Sequence, residues 1–239
     1  KFKMNAILLS AGFGSRLMPI TKKIPKCMVK IGDEYLIDIW IEKLFKANIK
    51  KILINTHYLS EIVKEHIEAN SFYKNNKIIL KYEKELLGTA GTLIKNSNFF
   101  DNKDGMLLHA DNFTTDDLKG FIKFHKRNID SYSFSMMSFK TENPEKSGIL
   151  KVNNNNLLTN FYEKDNRDFG NEANSATYIL SNRMIKSIAK SKVKDFSSEV
   201  IPNYLNKIKV YKSKSFFIDI GDIRSLNKAR NIVNKYNGK

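Results

Sequence analysis

The stretch Asn5-Ala6-Ile7-Leu8-Leu9-Ser10-Ala11-Gly12-Phe13-Gly14-Ser15-Arg16-Leu17 sets an apolar run of strand length directly against a run of small residues. The apolar part reads as a buried strand. The small residues behind it let the backbone approach an anionic group and aim N–H donors at it. A dinucleotide loop would repeat glycine as Gly-x-Gly-x-x-Gly, but Leu17 stands at the third glycine position, and no Gly-x-x-x-x-Gly-Lys-Ser/Thr run occurs. Arg16 instead suggests a side-chain clamp on a polyphosphate. Taken alone, a Gly-x-Gly is equally an ordinary strand-to-helix turn. The basic segment Thr21-Lys22-Lys23-Ile24-Pro25-Lys26 follows, and Arg16 and Lys26 converge on one sheet edge if the intervening chain folds back.

Outward from this loop, strand and helix patterns alternate, the signature of a parallel sheet flanked by helices. Residues 36–46 carry Ile37, Trp40, Ile41, Leu44 and Phe45 on one helical face; 51–55 reads as a strand; Ser60 can cap a helix to Ala69; 78–82 is a third strand. Gly88-Thr89-Ala90-Gly91 breaks the pattern before a short helix, 106–109 is a strand ending near Asp111, and 116–126 is a helix. The pattern then turns β-rich: 132–136, 148–152, 157–162 and 177–180. A helix over 197–206, a strand over 216–220 and a closing helix from about 224 to 236 complete it. No repeat or linker divides the chain, so we expect one α/β domain over 1–239 with a mixed, mostly parallel central sheet.

At 239 residues, with 41% hydrophobic and 28% charged residues, the chain can bury a large core, which excludes a miniature stapled scaffold and global disorder. Cys27 is the single cysteine, so neither an internal disulfide nor a cysteine-based metal cluster is available. No apolar run approaches membrane-helix length, and residues 1–5 read as a short extension before the first strand, so a soluble, cytoplasmic protein is expected. The net charge of +16 favours anionic partners, but the lysines are scattered and no nucleic-acid motif accompanies them.

The segment from Leu8 through Pro25-Lys26 and Val29 resembles the signature of the sugar-1-phosphate nucleotidyltransferases, Leu-x-Gly/Ala-Gly-x-Gly-Ser/Thr-Arg-Leu followed by Pro-Lys-x-x-Val/Leu. The resemblance covers nearly the whole chain, because Glu85-Leu86-Leu87-Gly88-Thr89-Ala90-Gly91, His109-Ala110-Asp111, Phe161-Tyr162-Glu163-Lys164, Asn174-Ser175-Ala176-Thr177-Tyr178 and Phe217-Ile218-Asp219-Ile220-Gly221 fall in the family's order. The chain is most similar to members that act on mannose 1-phosphate or manno-heptose 1-phosphate with GTP, and to their uridylyltransferase relatives. The resemblance implies a Rossmann-like, GT-A-type three-layer sandwich with a nucleotide-binding half over about 1–130 and a sugar-phosphate half over about 131–239, and a Mg²⁺-dependent reaction of a nucleoside triphosphate with a sugar 1-phosphate, giving a nucleotide sugar for polysaccharide biosynthesis and pyrophosphate. Neither a nucleic acid nor a membrane is implied as a partner, and monomer and homo-oligomer stay open.

By the same resemblance, Arg16, Lys26 and Asp111 would be catalytic, and Asp111 and Asp219 would hold Mg²⁺, which takes one or two carboxylates plus substrate phosphates. Leu9, Ser10, Ala11, Gly12, Gly14, Ser15 and Arg16 would bind the nucleotide's phosphates, while Glu83, Gly88, Thr89 and Ala90 would lie beside its base and ribose. Glu163, Lys164 and Asn174 would hold the sugar phosphate, with Gly148 and Tyr178 as further pocket candidates. Such a site must offset repulsion between two anions and stabilise the leaving pyrophosphate, work that cations and backbone amides can do without a protein nucleophile.

Two departures stand out. His109-Ala110-Asp111 replaces the family's Asn-Gly-Asp, and Asp222-Ile223 replaces Thr-Pro after Gly221, where Asp222 reads as a helix cap. His57, His66 and His125 lack the spacing of a metal cluster and are assigned to core or surface. Two other readings remain at this level: a non-catalytic nucleotide-sugar sensor on the same fold, against which the joint presence of Arg16, Lys26, Asp111 and Asp219 argues, and a basic nucleic-acid-binding module.

Overall fold

In the computed structural model, which describes residues 4–128 and 132–236, the chain runs β1 (Asn5–Leu9), β2 (Lys30–Ile31), β3 (Glu34–Tyr35), α1 (Leu36–Lys46), β4 (Ile52–Thr56), α2 (Ser60–Ala69), α3 (Ser71–Lys74), β5 (Ile78–Tyr82), α4 (Thr89–Lys95), β6 (Gly105–His109), β7 (Asn112–Thr114) and α5 (Lys119–Asn128). It continues with β8 (Phe134–Lys140), β9 (Gly148–Val152), β10 (Leu158–Glu163), β11 (Glu172–Leu180), α6 (Asn182–Ile188), β12 (Ile208–Lys212), β13 (Phe217–Asp219) and α7 (Ile223–Tyr236). The extension expected ahead of the first strand lies, for residues 1–3, outside the described residues.

The central sheet runs β10-β9-β11-β6-β1-β4-β5, with β8 beside β11 and β12 on β8. Strands β6, β1, β4 and β5 are parallel, as is the β8–β12 pair, whereas β11 joins β6 and β8 antiparallel. The fold is thus a mixed, mostly parallel α/β sheet with helices on both faces, as the alternating pattern predicts.

Two-residue alternation along each strand explains the layers. Ala6 and Leu8 of β1 pack with Leu36, Trp40 and Leu44 of α1, Val63 and Ile67 of α2, Phe121 of α5 and Leu226 and Ala229 of α7. Ile7, with Leu53 of β4 and Leu107 of β6, faces the opposite side, where Ala90 and Leu93 of α4 and Met184, Ile185 and Ile188 of α6 close the second core. Each fully buried Leu or Ile contributes about 1.5–3 kcal/mol relative to exposure. Trp40 adds a directional tie, its indole N–H donating to the Asn112 carbonyl at 2.7 Å and so fixing α1 against β7.

Five local expectations are corrected. Leu59, at φ +50, occupies the position before α2, and Ser60 is its first helical residue without a side-chain cap. Helix α5 starts at Lys119, because the Asp116 carboxylate accepts the Leu118 N–H at 2.8 Å and holds Leu118 at φ +63 ahead of the helix. The 197–206 segment is one π-helical turn over Phe196–Val200 and a 3-10 turn over Ile201–Tyr204; Pro202, which lacks a donor, prevents a continuous α-helix. Strand β12 and the Ser181-capped α6 were absent from the expected pattern.

What this arrangement positions is a row of strand ends. Leu9 pairs in register with Asn55 of β4 on one side and His109 of β6 on the other, so three adjacent parallel strands deliver their carboxyl ends to one crevice, where open α/β sheets bind ligands.

Candidate active site

The loop after β1 folds back on itself. Gly14 sits at φ +64, and a Cβ there would lie 3.0 Å from both the Lys26 Cβ and the Thr21 methyl, so the stem of Lys26 passes directly over this glycine. The Thr21 hydroxyl donates to the Gly14 carbonyl at 2.8 Å, and the Tyr58 hydroxyl to the Thr21 carbonyl at 2.9 Å. The return brings Lys26 to the strand ends, as the spacing of Arg16 and Lys26 suggests.

The carboxylates arrive by a second device. Beyond β6 the chain turns at Asp111 into β7, which pairs antiparallel with β13 so that Asp219 faces Asn112, and the Ile220 N–H donates to the Asp111 carbonyl at 2.9 Å. The Lys26 ammonium lies 2.5 Å from Asp111 Oδ2 and 3.6 Å from Asp219 Oδ1, while Arg16 Nη2 is 3.9 Å from Asp219 Oδ2. Burial alone would lower the Lys26 pKa, but Asp111 and then Asp219 outweigh it and hold it above the usual lysine value. Burial pushes Asp111 upward, yet Lys26 and His109 bring it below the ordinary carboxylate value. Asp219 is raised, first by desolvation and then by Asp111, so of the two it binds a proton more readily.

These two carboxylates form a donor set of the size Mg²⁺ uses when substrate phosphates complete its shell. Among the described residues no cluster of three or more His, Cys, Asp or Glu side chains could hold a metal without such help. Asp111 and Asp219 therefore fit a substrate-completed ion and do not form a closed structural site.

A cleft of about 210 Å³ opens beside them, and Leu9, Ser10, Ala11, Gly12, Lys26, Glu83, Gly88, Thr89 and Asp111 line it. Gly14, Ser15 and Arg16 lie further along the same loop, outside this lining. Ala90 is fully buried, and its N–H donates to the Lys194 carbonyl at 2.9 Å, so it supports the cleft from behind. Gly88, at φ +80, would put a Cβ 2.4 Å from that same Lys194 oxygen. Glu83 is buried, with one carboxylate oxygen accepting from Asn55 Nδ2 and the Thr92 hydroxyl and the other from the Leu87 N–H. Sequence reasoning missed Asn55 and His109 in this lining; their position at the carboxyl ends of paired parallel strands was the available signal.

On the other side of the crevice, Asn174 donates from Nδ2 to the Tyr178 hydroxyl at 2.7 Å and accepts the Ala176 N–H at 2.9 Å within the bulge of β11. Tyr178 is buried and its hydroxyl pKa is raised by that burial, so it orients Asn174 from within the core. Gly148 leaves room for its neighbours, since a Cβ there would stand 2.7 Å from Glu163 Oε2. Burial raises the Glu163 pKa, partly offset by Lys164, whose exposed ammonium is 3.9 Å away. Asp195, which sequence reasoning also missed, joins the two sides: its carboxylate accepts from the Thr89 hydroxyl at 3.1 Å and from Ser198 N–H at 2.8 Å, and the Phe196 N–H donates to Thr89 Oγ1 at 2.7 Å.

The loop after β1, a pair of carboxylates bridged by a lysine, and a cleft meet at parallel strand ends, the place where open α/β sheets bind ligands. The Nucleotidyl transferase family model matches residues 5–235, and the chain belongs to that family. It is 28% identical over 226 residues to the mannose-1-phosphate guanylyltransferase catalytic subunit beta of Danio rerio, covering 91% of this chain and 61% of the relative. It is 26% identical to the glucose-1-phosphate adenylyltransferase of Mycoplasma mobile, covering 96% of this chain and 66% of that protein. The chain thus spans about three-fifths to two-thirds of the length of these relatives. The crystal structure of HddC from Yersinia pseudotuberculosis complexed with GMP-PN superposes with a TM-score of 0.79 at 24% identity, covering 96% of this chain and 99% of that one, a likeness that establishes the fold.

Proposed function

We propose that this chain is a sugar-1-phosphate nucleotidyltransferase, and the observation that carries the reading is the Lys26 ammonium set between Asp111 and Asp219 at the mouth of the strand-end cleft. In the reaction, a phosphate oxygen of the sugar 1-phosphate forms a bond to the α-phosphorus of a nucleoside triphosphate, the bond from that phosphorus to the β-phosphate bridging oxygen breaks, and pyrophosphate leaves with the electron pair. The acceptor phosphate is already ionised, so no side chain need remove a proton.

The loop that Leu9 and Ser10 lead into offers backbone donors from Ala11, Gly12, Gly14 and Ser15 to the triphosphate, while Arg16 and Lys26 offset its charge as pyrophosphate departs. Gly88 and Thr89, backed by Ala90 and Glu83, shape the space for base and ribose. Glu163, Asn174 and Lys164 receive the sugar phosphate, with Gly148 and Tyr178 setting their places. Mg²⁺, held by Asp111 and Asp219, would supply further neutralisation of phosphate charge when bound.

For the substrates themselves, the reading is GTP with a mannose- or manno-heptose-type sugar 1-phosphate, in the cytoplasm; the guanylyltransferase from Danio rerio supports it, and uridylyl or cytidylyl transfer is the alternative. The test is pyrophosphate release with Mg²⁺ from GTP, UTP, CTP, dTTP and ATP, each against a panel of sugar 1-phosphates and phosphocholine. Release with GTP and a manno-configured acceptor supports the full reading, another productive pair keeps the chemistry and replaces the substrates, and nucleotide binding without turnover on any acceptor favours a sensor.

A further inference from the structure

Asn55 ends its side chain between the two loops that flank the cleft, and each end of its amide has one chemical role. Oδ1 accepts the Ser10 N–H at 2.8 Å, and the Ser10 hydroxyl donates to the Asn55 carbonyl at 2.5 Å, so the first residue of the phosphate-facing loop is held on both sides. Nδ2 donates to Glu83 Oε1 at 3.0 Å and lies 3.3 Å from Thr92 Oγ1. Glu83 carries the connection onward: Oε1 accepts the Thr92 hydroxyl at 2.6 Å and Oε2 the Leu87 N–H at 3.2 Å, while Thr92 Oγ1 lies 3.0 Å from the Gly88 carbonyl. Asn55 and Glu83 are each 3% exposed and Thr92 1%. A chain of hydrogen bonds, buried between its ends, thus runs from Ser10 in the cleft lining through Asn55 and Glu83 to Leu87, and the Thr92 N–H, donating to the Gly88 carbonyl at 2.9 Å, ties in the far wall.

We propose that Asn55 is a positioning residue for the nucleoside triphosphate, holding the phosphate-facing loop and the base-side loop in one fixed relation through Glu83. The proposal rests on the reading of this cleft as the nucleotide site. Its physical basis is directional. The site needs an acceptor toward Ser10 and a donor toward Glu83 at that distance from the backbone, and among side chains of this length only asparagine supplies both without taking up a proton. Strand β4 is already held by its ladders to β1 and β5, so the amide is not needed to keep the strand in the sheet. What it adds is the relative placement of two loops whose amides and walls a triphosphate and its base would contact, and such placement acts on binding before chemistry.

The same directionality supplies the test. Asn55→Asp sets a second carboxylate against Glu83. Glu83→Gln, with its carbonyl kept on the Leu87 N–H, turns an amide donor toward Asn55 Nδ2. In the double variant Asn55→Asp/Glu83→Gln the hydrogen bond is reversed and every partner is satisfied. The introduced carboxylate at position 55 would accept from Ser10 and from the introduced amide at position 83, that amide would donate to Thr92 as well, and the Thr92 hydroxyl would turn to Gly88.

GTP and UTP titrations at pH 9 and pH 6 read out affinity, with KM for the sugar 1-phosphate and melting temperature measured alongside. A buried mispaired polar group drives the two loops out of their fixed relation, so each single variant should weaken triphosphate binding roughly 10- to 100-fold at pH 9. The sugar-phosphate KM should stay within about threefold, and the double variant should return most of the loss. Asn55→Asp should also regain affinity at pH 6, where a protonated acid restores the donor toward Glu83. Equal triphosphate affinity of wild type and Asn55→Asp at pH 9 overturns the proposal, as does a uniform loss for both substrates that the double variant does not repair. A wild type that binds neither triphosphate removes the nucleotide reading itself.

Discussion

Replacing Lys26 by Met keeps the stem over Gly14 and deletes only the charge between Asp111 and Asp219. The side chain of Lys26 is 11% exposed, against 32% for Asp111 and 52% for Asp219. Breaking a fully buried pair costs about 3–5 kcal/mol, and solvent screening at the half-exposed Asp219 reduces that toward surface values. About 2 kcal/mol is the resulting expectation, or about 4–8 °C in melting temperature for a chain of this size. Two effects should then separate. Without metal the variant melts lower, because two carboxylates face each other; with millimolar Mg²⁺ it should recover at least half of the deficit, since the ion replaces the missing charge. Turnover should not recover, and kcat/KM should fall roughly 10²- to 10³-fold, the usual effect of deleting one group that meets developing charge. Calorimetry with and without Mg²⁺, beside a pyrophosphate-release assay, measures both. An unchanged melting temperature together with turnover within about threefold of wild type would refute the assignment of Lys26.

Three further outcomes are expected. The Cys27 thiol is pushed up to about 12, chiefly by burial, so iodoacetamide at pH 8 should leave the native protein unmodified and label it in denaturant; because the folded pKa lies above the unfolded one, its stabilising contribution is present at neutral pH and fades as pH rises beyond about 8.5, and labelling at the rate of a free thiol would contradict the packing. Asp222 caps α7, accepting the Ser225 N–H at 2.8 Å, so Asp222→Ala should cost about 1 kcal/mol and Asp222→Asn much less; hydrogen bonds from Ser225 depress its pKa, so the capping stability is present above about pH 4 and lost as pH falls through the folded value, and an equal loss in both variants at pH 7 would discount the cap. Gly88→Ala places a methyl 2.4 Å from the Lys194 carbonyl oxygen at a positive φ, so triphosphate KM should rise at least about tenfold with a melting loss of about 1–3 kcal/mol, and wild-type behaviour in both would show that this wall is free to move.

The sequence was most legible where local pattern and tertiary role coincide. Ile7, Leu53 and Leu107 sit in short apolar strands, and Trp40 and Leu44 on an amphipathic helix, so periodicity alone located the parallel half of the sheet. Strand β12 was hidden because Lys209 interrupts its apolar run; in the fold its stem is buried, with its ammonium donating to the Asn155 carbonyl and lying over the Tyr132 ring. Helix α6 is seven residues long and held by packing of Met184, Ile185 and Ile188, too short for periodicity to declare. Among candidate site residues, Asp111 and Asp219 stood out by motif, whereas their proximity depends on the pairing of β7 with β13, more than a hundred residues apart in sequence. Asn55 and Asp195 carried no motif signal, because each acts by linking loops that are distant in the chain.

The central claim is that this cleft joins a nucleotide to a sugar phosphate. Its most direct test is mass spectrometry of the products from GTP, mannose 1-phosphate and Mg²⁺, with the other triphosphates and sugar phosphates run in parallel, alongside quantified pyrophosphate. The account predicts a nucleotide sugar and pyrophosphate in equal amounts from at least one pair, abolished by Asp111→Ala. Orthophosphate release without a nucleotide sugar, or no product from any pair in a protein that folds and binds nucleotide, would contradict it.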